Sequence, residues 1–159
     1  MAYYSNDHVR FGVTISGTTS TLGVNDPELG SRANIAGNEY LFVYNAGLAA
    51  GIGQIVAIQS GGSGYSVTAS SVIGIDPIAG VAKNVAIANA KYGWVMTRGF
   101  SKVECVSNTL GGEMLMAGTN GQAADPTVAA ATGTTGFVFA KTMEVTIACG
   151  AAMSYVNCF

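Results

Sequence analysis

A chain of 159 residues is one domain, or one domain with an arm; its apolar share of 49% is enough for a core, but its charged share of 10% is far below the roughly 25% of an ordinary soluble domain. Seven basic and nine acidic groups leave a net charge of −2, which excludes a disordered polyelectrolyte and argues against a nucleic-acid binder, which needs a basic face. Gly, Ala, Ser and Thr fill a little under half of the positions, so solubilising groups are too few to cover the surface, and the composition predicts a subunit of something larger.

The start, MAYYSNDHVR, has no apolar stretch behind a basic one, so no secretory signal is expected. From Val9 to Ile15, Val9, Phe11, Val13 and Ile15 alternate with Arg10, Gly12 and Thr14, the pattern of a half-buried edge strand that needs a partner. Residues 16 to 38 are polar and glycine-punctuated and read as an extended arm or long loop, with a single helical turn at Pro27–Leu29 capped by Asp26. The expected division is an N-terminal arm at 1–38 carrying one strand, and a β-barrel or sandwich domain at 39–159.

Between Tyr40 and Ile75 no residue is charged, and Leu41 to Gln59 has the length of a membrane span. Asn45, Gln54, Gly47, Gly51 and Gly53 break that run and no basic cluster flanks it, so buried strands joined by a loop are expected and no membrane contact. Strands are predicted at Tyr40–Tyr44, Gln54–Gln59, Tyr65–Ile73, Tyr92–Thr97, Lys102–Ser107, Glu113–Met116, Gly136–Ala140, Glu144–Ala148 and Ser154–Phe159. Turn signals separate them: Gly61-Gly62-Ser63-Gly64, Asp76-Pro77, Asn108 to Gly112, and Asn120-Gly121. Val81–Ala90 suits a short helix or a strand and turn, and residues 117 to 135 read as a surface loop. Short strands at roughly ten-residue spacing predict a mainly β fold, a single small barrel or sandwich with long loops.

The residues supply little for catalysis. His8 is the single histidine, no G-x-S-x-G elbow or P-loop is present, and Gly51-Ile52-Gly53 is not followed by a helical pattern. Asp76 and Asp125 precede prolines and read as turn starters, while Lys102 and Glu104, two apart on a strand, read as an ion pair. Cys105, Cys149 and Cys158 are too few and scattered for a zinc site; they read as small packing residues, with a Cys149–Cys158 bridge as the alternative. No cofactor, metal or catalytic residue is assigned. Trp94 reads as core rather than as a sugar platform.

The segment VIGIDPIAGVAKNVAIANAKYGWVMTRGFSKVECVSNTLGGEMLMAG carries a resemblance. Ile73-Gly74, the small residues Ala86 to Ala90, Lys91-Tyr92-Gly93-Trp94-Val95, Arg98-Gly99 and Gly112 to Leu115 resemble the core motif of capsid cement (decoration, head-stabilising) proteins of tailed bacteriophages. The upstream GNEYLFVYNAGLAAGIGQIVAI is similar to the segment that precedes it there. Asp76-Pro77 interrupts the first motif strand, and CGAAMSYVNCF does not match. The resemblance implies a virion protein on the outer capsid surface, assembled in the host cytoplasm, commonly a homotrimer, that clamps neighbouring major capsid subunits.

Within the motif, Tyr92, Gly93, Trp94, Arg98 and Gly99 make sense as scaffold. The two glycines allow a bent or bulged strand around the indole. Trp94, Met96 and Arg98 are expected on one face, with Arg98 meeting a carboxylate or carbonyl groups. Partner contacts are expected from the arm through Tyr3, Tyr4, Val9, Phe11, Val13 and Ile15. The expected partners are the major capsid protein and copies of the chain itself, as a trimer or a dimer. So few charges predict attachment by apolar burial, edge pairing and hydrogen bonds, with little response to salt. Two rival readings are a minor tail or head-fibre subunit and a carbohydrate-binding module using Tyr3, Tyr4, Tyr65, Tyr92 and Tyr155.

Overall fold

A computed structural model describes residues 17–24, 26–59, 65–69, 77–106, 111–118, 120–125, 138–143 and 150–158. Among them are ten strands and no helix: β1 (Arg32–Ile35), β2 (Asn38–Asn45), β3 (Ile55–Ile58), β4 (Ser66–Thr68), β5 (Ile78–Val81), β6 (Lys91–Cys105), β7 (Met114–Ala117), β8 (Ala123–Ala124), β9 (Ala140–Thr142) and β10 (Gly150–Asn157). The fold is all-β. Pairing in the order β2–β4–β3–β5–β6 and back to β2 closes a five-stranded barrel. Beyond it, β10, β9, β7 and β8 continue from β6, and β8 returns to β6 where Cys105 pairs with Ala123.

The charge-free run folds as β2 and β3, two strands joined by the loop at 46–54, and both faces of each are buried. One core cluster takes a residue from every barrel strand: Leu41 and Val43, Val56, Val67, Ala79 and Val95. The opposite faces carry Tyr40, Phe42, Ile55, Trp94 and Met96, which continue into Val103, Leu115, Ala152 and Val156 of the extension. Two-sided burial replaces alternation with a continuous apolar run, the reason these strands resemble a membrane segment on paper. No helix among the described residues is long and apolar enough to cross a membrane.

Asn45 interrupts that run for a reason. It is fully buried, its Nδ2 donates to the Leu48 carbonyl at 2.9 Å and the Ile87 carbonyl at 2.7 Å, and its Oδ1 accepts from the Gly47 amide at 3.1 Å. One side chain thereby satisfies the backbone of two loops that would otherwise be buried without partners.

Several expectations are corrected. The turn at Pro27–Leu29 is not a capped helical turn: the Asp26 carboxylate accepts from Gly23, upstream of it, at 2.6 Å. Of the two readings of Val81–Ala90, the strand and turn holds: Val81 ends β5 and the chain then turns without helix, with Ile87 bridging Ala50. The stretch at 16–38 holds a strand, β1, joined to β2 by a tight turn in which Ala36 (φ 51°) and Gly37 (φ 78°) are both left-handed, as a type I′ hairpin requires. The predicted strands Tyr92–Thr97 and Lys102–Ser107 are one, β6. Strand pairing in the 117–135 stretch includes β8, and the last part of Gly136–Ala140 moves into β9. Asn120 and Gly121 take the left-handed turn expected of them, with φ of 55° and 75°. The predicted strands Val9–Ile15 and Glu144–Ala148 lie outside the described residues.

Candidate functional site

The motif residues lie along the first two thirds of β6. Trp94 is 5% exposed and packs against Phe42 with ring centroids 5.1 Å apart, and Tyr92 stacks on Phe42 and meets Tyr44 at 4.7 Å. A Cβ on Gly93 would press on Ile87 at 3.1 Å. The indole is core, and these rings form a packed aromatic row rather than a platform. Tyr155 belongs to a separate ring pair with Phe100, apart from the row that holds Tyr92. Tyr3, Tyr4, Val9, Phe11, Val13 and Ile15 lie outside the described residues.

Arg98 corrects the expected facing. Tyr40 pairs with Met96, but its neighbour Glu39 pairs with Arg98, so β6 carries one extra residue in a bulge. The slip turns Arg98 outward while Trp94 and Met96 stay in the core. Its guanidinium lies 3.6 Å from the Glu39 carboxylate, the kind of partner expected, and its Nε donates to the Tyr155 hydroxyl at 3.2 Å. Tyr155 first, and then Glu39, hold it firmly in its charged form.

After the bulge β6 alternates strictly, with Ser101, Val103 and Cys105 buried and Arg98, Phe100 and Lys102 exposed. Register then assembles a surface from four strands. Phe100 lies opposite Tyr155, Tyr155 opposite Lys141, and Lys141 opposite Met114, a row running from β6 through β10 and β9 to β7. A second row runs from Lys102 to Met153, whose carbonyl accepts from the amide of Met143. Phe100, Met114 and Met143 are each half or more exposed, at 54%, 50% and 59%. Phe100 meets Tyr155 edge to face at 5.1 Å.

At the β6 margin a cavity of about 350 Å³ is lined by Ile52, Lys83, Asn84, Phe100, Lys102 and Met153, among others. Lys83 donates from Nζ to the Phe100 carbonyl at 2.7 Å, and partial burial lowers its pKa. Lys102 and Glu104 share the outward parity but do not pair with each other; one Glu104 oxygen is buried with no hydrogen-bond partner. The cationic side chains are thus few but gathered. Lys83, Arg98, Lys102 and Lys141 are four of the chain's seven.

Sequence reasoning did not find this face. Its members lie far apart in the chain and meet only through register, and the bulge moves Arg98 to it. Alternation of Arg98, Phe100 and Lys102 was the one local signal. Cys158 is a buried, free thiol and Cys105 is likewise packed in the core; Cys149 lies outside the described residues. Among the described residues no three of His, Cys, Asp and Glu come together as a metal site. No protein-family model and no curated protein matches the chain.

Proposed function

We propose that the chain is a non-enzymatic structural subunit of a virus particle: a cement protein on the outer surface of a tailed-bacteriophage head, self-associated as a homotrimer and clamping neighbouring major capsid subunits. The observation that carries this reading is the outward face of the extension. An all-β frame presents Phe100, Met114 and Met143, with the partly exposed Tyr155, to the outside, in a chain whose charged share is only 10%. Apolar side chains held in register on a sheet suit a standing contact with another protein better than a free surface. The motif of β6 supports the same reading through its resemblance to the cement-protein core.

Quantitative mass spectrometry of purified virions tests it. Hundreds of copies per particle, with heads that rupture at lower temperature when the gene is deleted, are the expected result; a few copies would place the chain at a tail or fibre instead. Light scattering should give the mass of a trimer at micromolar concentration, and a stable monomer would overturn the self-association.

A further inference from the structure

The geometry points to the outward face of β6, β10, β9 and β7 as the docking site for an extended, acidic and partly apolar segment of a partner protein. This deepens the cement reading and rests on it, because it names the chemistry of the capsid segment that the face takes. Adjacent strands lie roughly 4.8 Å apart, so the row Phe100–Tyr155–Lys141–Met114 spans about 14 Å, the length of four to five residues of extended chain.

Along that row, apolar and cationic groups interleave. Phe100 and Met114 lie at the ends, Lys141 sits between Tyr155 and Met114, and Lys102 stands one row away beside Met153. Arg98 and Lys83 mark the margin at β6. Among the described residues two carboxylates share this side: Glu39, which Arg98 engages, and Glu104, half-buried at the far end of β6. Glu113 precedes β7 with the parity of the buried Leu115, not of the outward Met114. The described residues of the face therefore carry a cationic excess in a chain of net charge −2, and a segment alternating carboxylates with apolar side chains complements it.

Nucleic acid fits less well. Four cations, of which Arg98 already engages a carboxylate and Lys83 a backbone carbonyl, are few for a phosphate backbone, and Phe100 is turned edge to face with Tyr155 rather than laid open for stacking. The clustering also changes the expectation for salt: attachment through this face weakens as ionic strength rises, whereas the small number of charges in the sequence predicts little response.

The test uses the full chain, a twelve-residue peptide alternating glutamate with leucine, the same peptide with lysine for glutamate, a twelve-base-pair DNA duplex, and heads lacking the chain. The glutamate peptide should shift the amide resonances of Phe100, Lys102, Lys141 and Tyr155. Lys102→Glu with Lys141→Glu should weaken its binding at least tenfold, and Phe100→Ser should weaken it severalfold. The milder pair Lys102→Gln and Lys141→Gln, at exposed positions, guards against loss of fold. Preference for the lysine peptide or the duplex, resonance shifts elsewhere, or self-association through this face that the variants abolish would overturn the inference. On heads, wild type that binds while the lysine variants bind equally well overturns the docking face and leaves the cement reading standing. Binding of the glutamate peptide at this face without binding to heads overturns the cement reading and leaves the chemistry of the face intact. If neither is bound, both fall.

Discussion

Gly99 is the residue on which the course of β6 turns. Its φ of +125° lies where side chains other than hydrogen are strained, and a Cβ there would collide with the side chain of Asn38. That side chain is engaged, since its Oδ1 accepts from the Phe100 amide at 3.2 Å. Gly99→Ala therefore combines backbone strain with displacement of a hydrogen-bond acceptor, and should destabilise the protein by at least about 2 kcal/mol. Gly37 is the internal comparison. It too has a positive φ, 78°, but nothing lies within 4 Å of the Cβ position, so Gly37→Asn should cost less than about 1 kcal/mol. Urea midpoints of the two variants read the difference. Equal losses would mean that the Asn38 contact contributes nothing at Gly99. The consequence extends to the candidate site, because Gly99 lies between Arg98 and Phe100, both turned outward.

At the scale of elements, the hydrophobic pattern was legible wherever strands were long or bounded by plain turn signals. β2, β3, β7 and β10 lie on or overlap the expected segments, and the Asn120-Gly121 turn stands where its sequence put it. β6 was divided in two because Arg98-Gly99-Phe100-Ser101 reads as a break. A bulge lets the strand run through, and local sequence does not distinguish a bulge from a stop. β1 was missed because its hairpin turn is Ala36-Gly37 rather than the Asn-Gly or Asp-Gly that announces a type I′ turn. The scaffold role of the aromatic motif followed from local chemistry, whereas the docking face required the register of β6 with β10, β9 and β7. The hairpin yields a test of its own. Ala36 is exposed and held at φ 51°, a conformation that asparagine adopts more readily than alanine, so Ala36→Asn should stabilise the protein by about 0.5 kcal/mol, read as a raised urea midpoint with unchanged slope.

For the whole molecule, the two linked cores make stability depend on alkaline pH. Cys158 packs in the larger core with its thiol pKa pushed by burial from 9.0 up to about 12, and burial also raises the Tyr40 phenol, against a smaller opposing effect of its hydrogen bond to Asn84. A thiol whose pKa is higher folded than unfolded adds stability that is fully present below the unfolded value. Above pH 9 the unfolded chain releases a proton that the folded chain retains, and the balance shifts toward unfolding. The loss continues until the folded thiol itself ionises near pH 12, at a slope from this group approaching 1.4 kcal/mol per pH unit, roughly the cost of one proton per tenfold dilution. Urea midpoints of the wild type should hold steady from pH 7 to 8.5 and fall between pH 9 and 11. Cys158→Ala should be less stable than wild type at pH 7, because it opens a small void in the core, and should lose less on going to pH 11. The two curves should therefore converge as pH rises. Parallel curves would mean that the thiol reaches water in the folded protein and that the seam between barrel and extension is open where Cys158 follows β10.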